Sequence, residues 1–228
     1  TTGPLNDSFQ RLSGNLLTVQ RLFDYGDETL MAKYGRVEGS TVRIGRMQYR
    51  AVVLPSLRTL RKSTAAMLRK FIDNGGTVLS AGEMPVLMDG EKNPEIEELT
   101  RRIVPVANDA AELKTHLERA VKPEIQLAAP AYAGTESIWA HVRQVKNGKL
   151  VFLTNVDRER TVEAEVRIKG TGKAAYLNAD TGEKEPVDQY TDGEYTAVKL
   201  TFEPAAGHLL FLNEEAEPEL IPAAERET

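Results

Sequence analysis

The stretch Ala51-Val52-Val53-Leu54-Pro55, taken with Thr77-Val78-Leu79-Ser80-Ala81 further along, decides the reading of the first half of this 228-residue chain. Each is a short continuous apolar run, the pattern of a strand covered on both faces. Between them Met67, Leu68, Phe71 and Ile72 share one side of a helix, with Ser63 placed to cap its start and Gly75 to end it. A strand, a helix and a second strand joined by a crossover of about 20 residues demand a parallel pair with a right-handed connection. Upstream, Phe9, Leu12, Leu16, Val19 and Phe23 predict a helix over 8–23, capped by Asp7 or Ser8 and followed by Gly26. Val42 and Ile44 alternate with Thr41 and Arg43, which predicts a half-buried strand. Downstream, Asp109 with Glu112 forms a capping box for a helix that buries Ala110, Leu113, Leu117 and Val121 and ends before Pro123. Residues 1–122 therefore read as an α/β domain with a parallel sheet.

After Pro123 the period changes. Val162, Ala164, Val166 and Ile168 alternate strictly with Thr161, Glu163, Glu165 and Arg167, and Val198, Leu200 and Phe202 alternate with Ala197, Lys199 and Thr201. Leu150 to Leu153 and Leu209 to Leu212 are apolar runs. Asn147-Gly148, Gly170-Thr171-Gly172, Thr181-Gly182, Asp192-Gly193 and Ala206-Gly207 supply turns. Short strands punctuated in this way predict an antiparallel β-sandwich over 123–213. The domain boundary falls near Pro123 to Pro130. Residues 214–228 read as an acidic flexible tail.

Composition removes several kinds of chemistry. Hydrophobic residues make up 41% and charged residues 28%, a globular balance and not a disordered one. There is no cysteine, so disulfides, thiolate zinc sites and cysteine nucleophiles are excluded for this chain. The three histidines, His116, His141 and His208, are not at ligand spacing, so no metal site is expected. From Asn213 to Thr228 six acids face one base, which accounts for the whole net charge of −5. The remainder is balanced, so a nucleic-acid partner is not expected. Neither is a membrane partner, since no apolar run approaches the roughly 18 residues of a span. The chain opens Thr1-Thr2-Gly3 without an initiator Met and is read as a piece of a longer protein.

Ligands in open α/β sheets bind beyond the carboxyl ends of the strands. That singles out Ser80-Ala81-Gly82-Glu83, with Glu83 as a carboxylate facing a substrate or, alternatively, a solvated loop acid. Ser80 lacks the glycine flanks of a nucleophile elbow. Gly75-Gly76 precedes a strand and is a turn, not a phosphate cradle. In the sandwich, Ile138, Ala140 and Val142 point one way while Trp139, His141 and Arg143 point the other. Trp139, the only tryptophan, is then either an exposed platform for a sugar, with His141 beside it, or a residue packed at a domain seam. His208 reads as structural.

Tyr49-Arg50-Ala51-Val52-Val53-Leu54-Pro55-Ser56, a helix, then Phe71-Ile72-Asp73-Asn74-Gly75-Gly76-Thr77-Val78-Leu79 resembles the glutamine-amidotransferase-like (flavodoxin-like) accessory domain of large glycoside hydrolases. The trimerisation domain of bacterial β-galactosidases has the same pattern. With a β-sandwich directly after it, the chain looks most like the C-terminal part of large bacterial α-L-rhamnosidase-like hydrolases. The pieces that match are Phe152-Leu153-Thr154-Asn155, the alternating Val162 to Ile168, Tyr176 with the turn through Asp180-Thr181-Gly182, and Leu200 to Pro204 followed by Leu209 to Leu212. The resemblance covers about residues 8–213 and implies a non-catalytic fragment. In such enzymes the catalytic carboxylates belong to a barrel that precedes these domains, so no catalytic residue carries over, and no cofactor is implied. The partners it implies are the parent's catalytic barrel and a second copy of the chain. The alternative reading is a carbohydrate-binding module that uses Trp139. An exposed apolar patch is expected on the α/β domain, where the partner surface was lost.

Overall fold

In the computed structural model residues 3–129 and 134–215 are described. Two compact units divide the chain: Thr1–Leu16 with Phe23–Lys122, and Leu17–Leu22 with Pro123–Thr228.

The first unit runs through α1 (Gly3–Thr18), α2 (Glu28–Tyr34), β1 (Gly35–Glu38), β2 (Thr41–Ile44), β3 (Met47–Tyr49), β4 (Ala51–Leu54), β5 (Thr59–Leu60), α3 (Lys62–Asp73), β6 (Thr77–Ser80), β7 (Leu87–Met88), α4 (Pro94–Thr100), β8 (Val104–Pro105) and α5 (Ala110–Ala120). Strands β4, β6 and β8 form a parallel sheet in that order, with Ala51 opposite Thr77 and Leu79 opposite Val104. Both crossovers step the same way along the sheet, so right-handed connections place α3 and α4 on one face. The packing agrees. Leu54 and Val78 share a core with Leu68 and Phe71 of α3 and with Ile96 and Leu99 of α4. Leu79 and Ala81 pack on the opposite side against Leu12 and Leu16 of α1 and Leu113 and Leu117 of α5. The apolar runs are thus covered on both faces. The parallel sheet has three strands, fewer than a flavodoxin-like sheet. Beside it lie an antiparallel meander, β1-β2-β3, and a two-stranded parallel pair, β5 with β7.

Several local expectations need correction. The first helix covers Gly3–Thr18, so Asp7 and Ser8 lie inside it and are not its caps. It stops because Gln20 takes a positive φ of 51°; Phe9 is exposed and stacks on Tyr25 with ring centroids 5.0 Å apart. Ser63 does not cap α3. The amides of Arg61 and Lys62 donate instead to the carboxylates of Glu28 (2.9 Å) and Asp89 (3.3 Å), which arrive from elsewhere in the fold. Gly75 does supply the left-handed turn, at φ 83°. Asp109 caps α5 as expected, its carboxylate accepting from the Glu112 amide at 2.9 Å.

The second unit contains β9 (Ile125–Ala128), a 3-10 turn (Thr135–Ser137), β10 (Ile138–Val145), β11 (Gly148–Asn155), β12 (Val162–Lys169), β13 (Lys173–Leu177), β14 (Lys184–Pro186), β15 (Gln189–Asp192), β16 (Tyr195–Phe202) and β17 (Gly207–Asn213). They form two antiparallel sheets, β10-β11-β17-β13-β14 and β15-β16-β12-β9. Val162, Ala164, Val166 and Ile168 pack with Val198, Leu200 and Phe202 against Ile138, Val151, Leu153, Leu210 and Leu212. The strict alternation therefore marks the inner faces of a sandwich. At one end of the sandwich the nearly buried Lys149 donates to Glu124 at 2.9 Å and lies 3.6 Å from Glu214. Glu214 also accepts from Gln144 and bonds through its amide to Asn147, so the first residue of the expected tail is tied to the sandwich. Residues 216–228, the part of that tail after Glu215, and Pro130 lie outside the described residues.

Candidate functional site

The carboxyl ends of β4 and β6 are built from Ser56, Ala81, Gly82 and Glu83. The Ser8 hydroxyl donates to Ser56 Oγ at 3.0 Å, and Ser56 Oγ accepts from the Glu83 amide at 3.1 Å. Leu57 donates to the Glu83 carbonyl at 3.1 Å and Ala81 to the Leu54 carbonyl at 2.8 Å. Asn108 extends the closure by donating to the Ser8 carbonyl and accepting from Asn15. Ser56 and Ser8 of α1 thus tie the loops after β4 and β6 to one another. Glu83 serves through its backbone, and its side chain is exposed.

The sandwich presents two outer faces of opposite character. On the four-stranded sheet the face is charged. Tyr190 donates to Glu165 at 2.6 Å, and Arg167 bridges Glu165 (2.9 Å) and Asp192 (3.0 Å). Burial pushes the Glu165 pKa up, but the hydrogen bonds from Tyr190 and Arg167 outweigh it and hold the carboxyl below its ordinary range.

The outer face of the five-stranded sheet is apolar with polar points. Register sets its rows. Trp139 pairs with Thr154 and Thr154 with Gly207; His141 pairs with Phe152 and Phe152 with Leu209. A third row runs Arg143, Leu150, Phe211, Ala175, Pro186 across all five strands. Trp139 is 38% and Phe152 47% exposed, above the half-buried Leu150, Leu209 and Phe211. The alternation on β10 places Trp139, His141 and Arg143 together on this face, while Ile138, Ala140 and Val142 pack on the core. Phe152 is the residue sequence reading overlooked. It sits inside the apolar run Leu150 to Leu153, and its pairing with His141 places it on this face.

Pairing of β13 with β17 ends at Tyr176–Leu210. Where the strands part lies an open pocket of about 370 Å³ lined by Tyr176, Asn178, Glu185, Gly207, His208 and Leu209 among others. His208 contacts the Phe202 ring edge-on at 4.9 Å, and its Nε2 lies 2.9 Å from the Thr201 carbonyl, a packing role. The motif amides are structural too. Asn155, 1% exposed, accepts from Ser137 Oγ and from the Asp157 amide and donates to the Arg160 carbonyl. Asn178 closes its turn by accepting from the amides of Asp180 and Thr181. Among the described residues no group of His, Asp and Glu could hold a metal ion. No described helix is long and apolar enough to cross a membrane.

No protein-family model matches the chain, and no curated protein matches its sequence. Its fold recurs inside larger glycoside hydrolases. It resembles a rhamnosidase from Novosphingobium sp. PP1Y with a TM-score of 0.69 and 17% identity, over 92% of this chain. It resembles an exo-carrageenase GH42 from Bacteroides ovatus with a TM-score of 0.58 and 19% identity, also over 92%. An α-L-fucosidase isoenzyme 2 from Paenibacillus thiaminolyticus follows at 0.55 and 10% identity, over 90%. The chain spans only 21%, 27% and 44% of these three proteins. At such identities the likeness is one of fold.

Proposed function

We propose that this chain is a non-catalytic C-terminal accessory region of a larger bacterial glycoside hydrolase. In this reading its first unit is an amidotransferase-like domain without the cysteine nucleophile, and it supports or oligomerises a catalytic barrel elsewhere in the parent. The observation that carries the reading is the coverage. Nearly all of this chain corresponds in fold to a minor share of each of three glycoside hydrolases. The hydrogen bonds that tie Ser8, Ser56 and the Glu83 amide together at the strand ends support it. Exposed Tyr25, Leu30, Tyr34 and Met47 on the first unit are where the partner, barrel or second copy, would dock. Sequencing the coding region upstream of Thr1 tests this: the reading expects a continuous frame that encodes a barrel with paired acids, and an independent start at this segment would contradict it.

A second reading, a carbohydrate-binding module, draws on the solvent-facing Trp139 beside His141. It is compatible with the first, since an accessory region can hold substrate as well as pack against a barrel.

A further inference from the structure

We infer that the corner of the five-stranded sheet formed by Trp139, Phe152, His141 and Arg143 binds an oligosaccharide that carries an anionic group. This deepens the carbohydrate-binding reading above and rests on it. Trp139 and Phe152 stand on adjacent antiparallel strands as diagonal neighbours, because the direct partner of Trp139 is Thr154, two residues beyond Phe152. Both rings are exposed on one face of the sheet. An aromatic pair with an apolar floor suits a ligand with a flat C–H face; the Thr154 hydroxyl, which donates to the Ala206 carbonyl at 3.3 Å, can accept from a group at its edge, and the His141 ring offers a further hydrogen bond. A pyranose ring has that combination of surfaces.

The charge on this face selects among saccharides. Its positions on the five strands include His141, Arg143, Lys173 and Lys184 but no carboxylate among the described residues. Lys184 already stacks on Phe211 at 4.1 Å. Arg143 is exposed and makes no ion pair among the described residues. A guanidinium in that position fits a carboxylate or a sulfate in bidentate fashion. Arg143 lies four residues from Trp139, about 13 Å along the strand, so one short oligosaccharide reaches both. The nearest acid in the bordering pocket, Glu185, sits on the opposite edge strand, about 19 Å away at the spacing of four strand intervals. At the Arg143 end Glu214 is held by Gln144 and Lys149, so Arg143 is the group that meets the anion.

Trp139 is the only tryptophan, so its fluorescence reports this corner alone. The chain is titrated with an alginate tetrasaccharide, a chondroitin sulfate tetrasaccharide and neutral cellotetraose, and affinities are checked by calorimetry. At least one anionic probe is expected to bind about tenfold or more tightly than cellotetraose. Phe152→Ala should weaken that binding about tenfold, and Arg143→Gln should bring it to the cellotetraose level, with both variants keeping the wild-type circular dichroism melt. Binding of none of the three probes, or anionic binding indifferent to Phe152→Ala or to Arg143→Gln, overturns the inference. Such a failure leaves the accessory-region reading standing, since that turns on the upstream coding sequence and on glycoside turnover.

Discussion

A β-carbon placed on Gly82 would stand 2.2 Å from Ser56 Oγ and 2.8 Å from the Ser56 amide nitrogen. The loop after β6 approaches the loop after β4 this closely because Ser56 Oγ accepts from the Glu83 amide. Gly82→Ala must push the two loops apart and break that bond. The expected cost is about 1–3 kcal/mol in urea unfolding of the first unit. A change below 0.5 kcal/mol, by the scatter usual for surface substitutions, would mean the strand ends are looser than described.

Asn155 is a buried amide whose oxygen and nitrogen both have partners. Asn155→Ala removes the side-chain acceptor of the Asp157 amide and the side-chain donor to the Arg160 carbonyl, while the Ser137 hydroxyl keeps only the Gly134 carbonyl. A loss of about 2–4 kcal/mol is expected, measured by thermal unfolding of the sandwich. An unchanged melting temperature would contradict the structural role given to this motif residue.

Asp157 accepts from the amides of Glu159 and Arg160 and from the Arg160 guanidinium, which lowers its pKa from 3.8 to about 2. A depressed folded-state value means the contribution is present above the unfolded pKa and disappears as the pH falls from about 4 towards 2. Carbonyl-carbon NMR titration should show Asp157 ionised at pH 3 and protonating near 2. Asp157→Asn should flatten the acid limb of the stability curve over that window.

Tyr49 titrates in the opposite sense. Burial, reinforced by its hydrogen bond to Asp24 at 2.7 Å, raises its pKa from 10.0 to about 12. Its contribution is therefore full below 10 and is lost as the pH climbs through about 12. Ultraviolet titration should find Tyr49 resisting ionisation together with Tyr176 and Tyr190, which burial also shifts upward, and Asp24→Asn should lower the Tyr49 midpoint without moving the other two.

What could be read before the fold was known depended on whether the signal was local. Strand β12 was legible because an antiparallel strand with one solvated face writes its burial into alternate residues, Val162, Ala164, Val166 and Ile168. Strands β4 and β6 were legible as uninterrupted apolar runs because helices cover both sides. The caps of α3 were not legible, since Glu28 and Asp89 come from distant parts of the chain and make Ser63 unnecessary. The end of α1 was misplaced because Phe23 belongs to the same core as Leu12 and Leu16 without being helical. The short helices α2 and α4 passed unnoticed, although Asp27 and Asn93 are good caps, because seven residues are too few to show a period. On the outer sheet face, Trp139 could be singled out by its rarity, whereas Phe152 needed the register.

The central claim is that this chain supports a reaction it does not perform. The direct measurement is turnover of a panel of aryl glycosides, rhamnosides, galactosides and fucosides included, by the purified 228-residue chain. The account predicts rates equal to the protein-free blank. Turnover that survives repurification and falls with Glu83→Gln would contradict it.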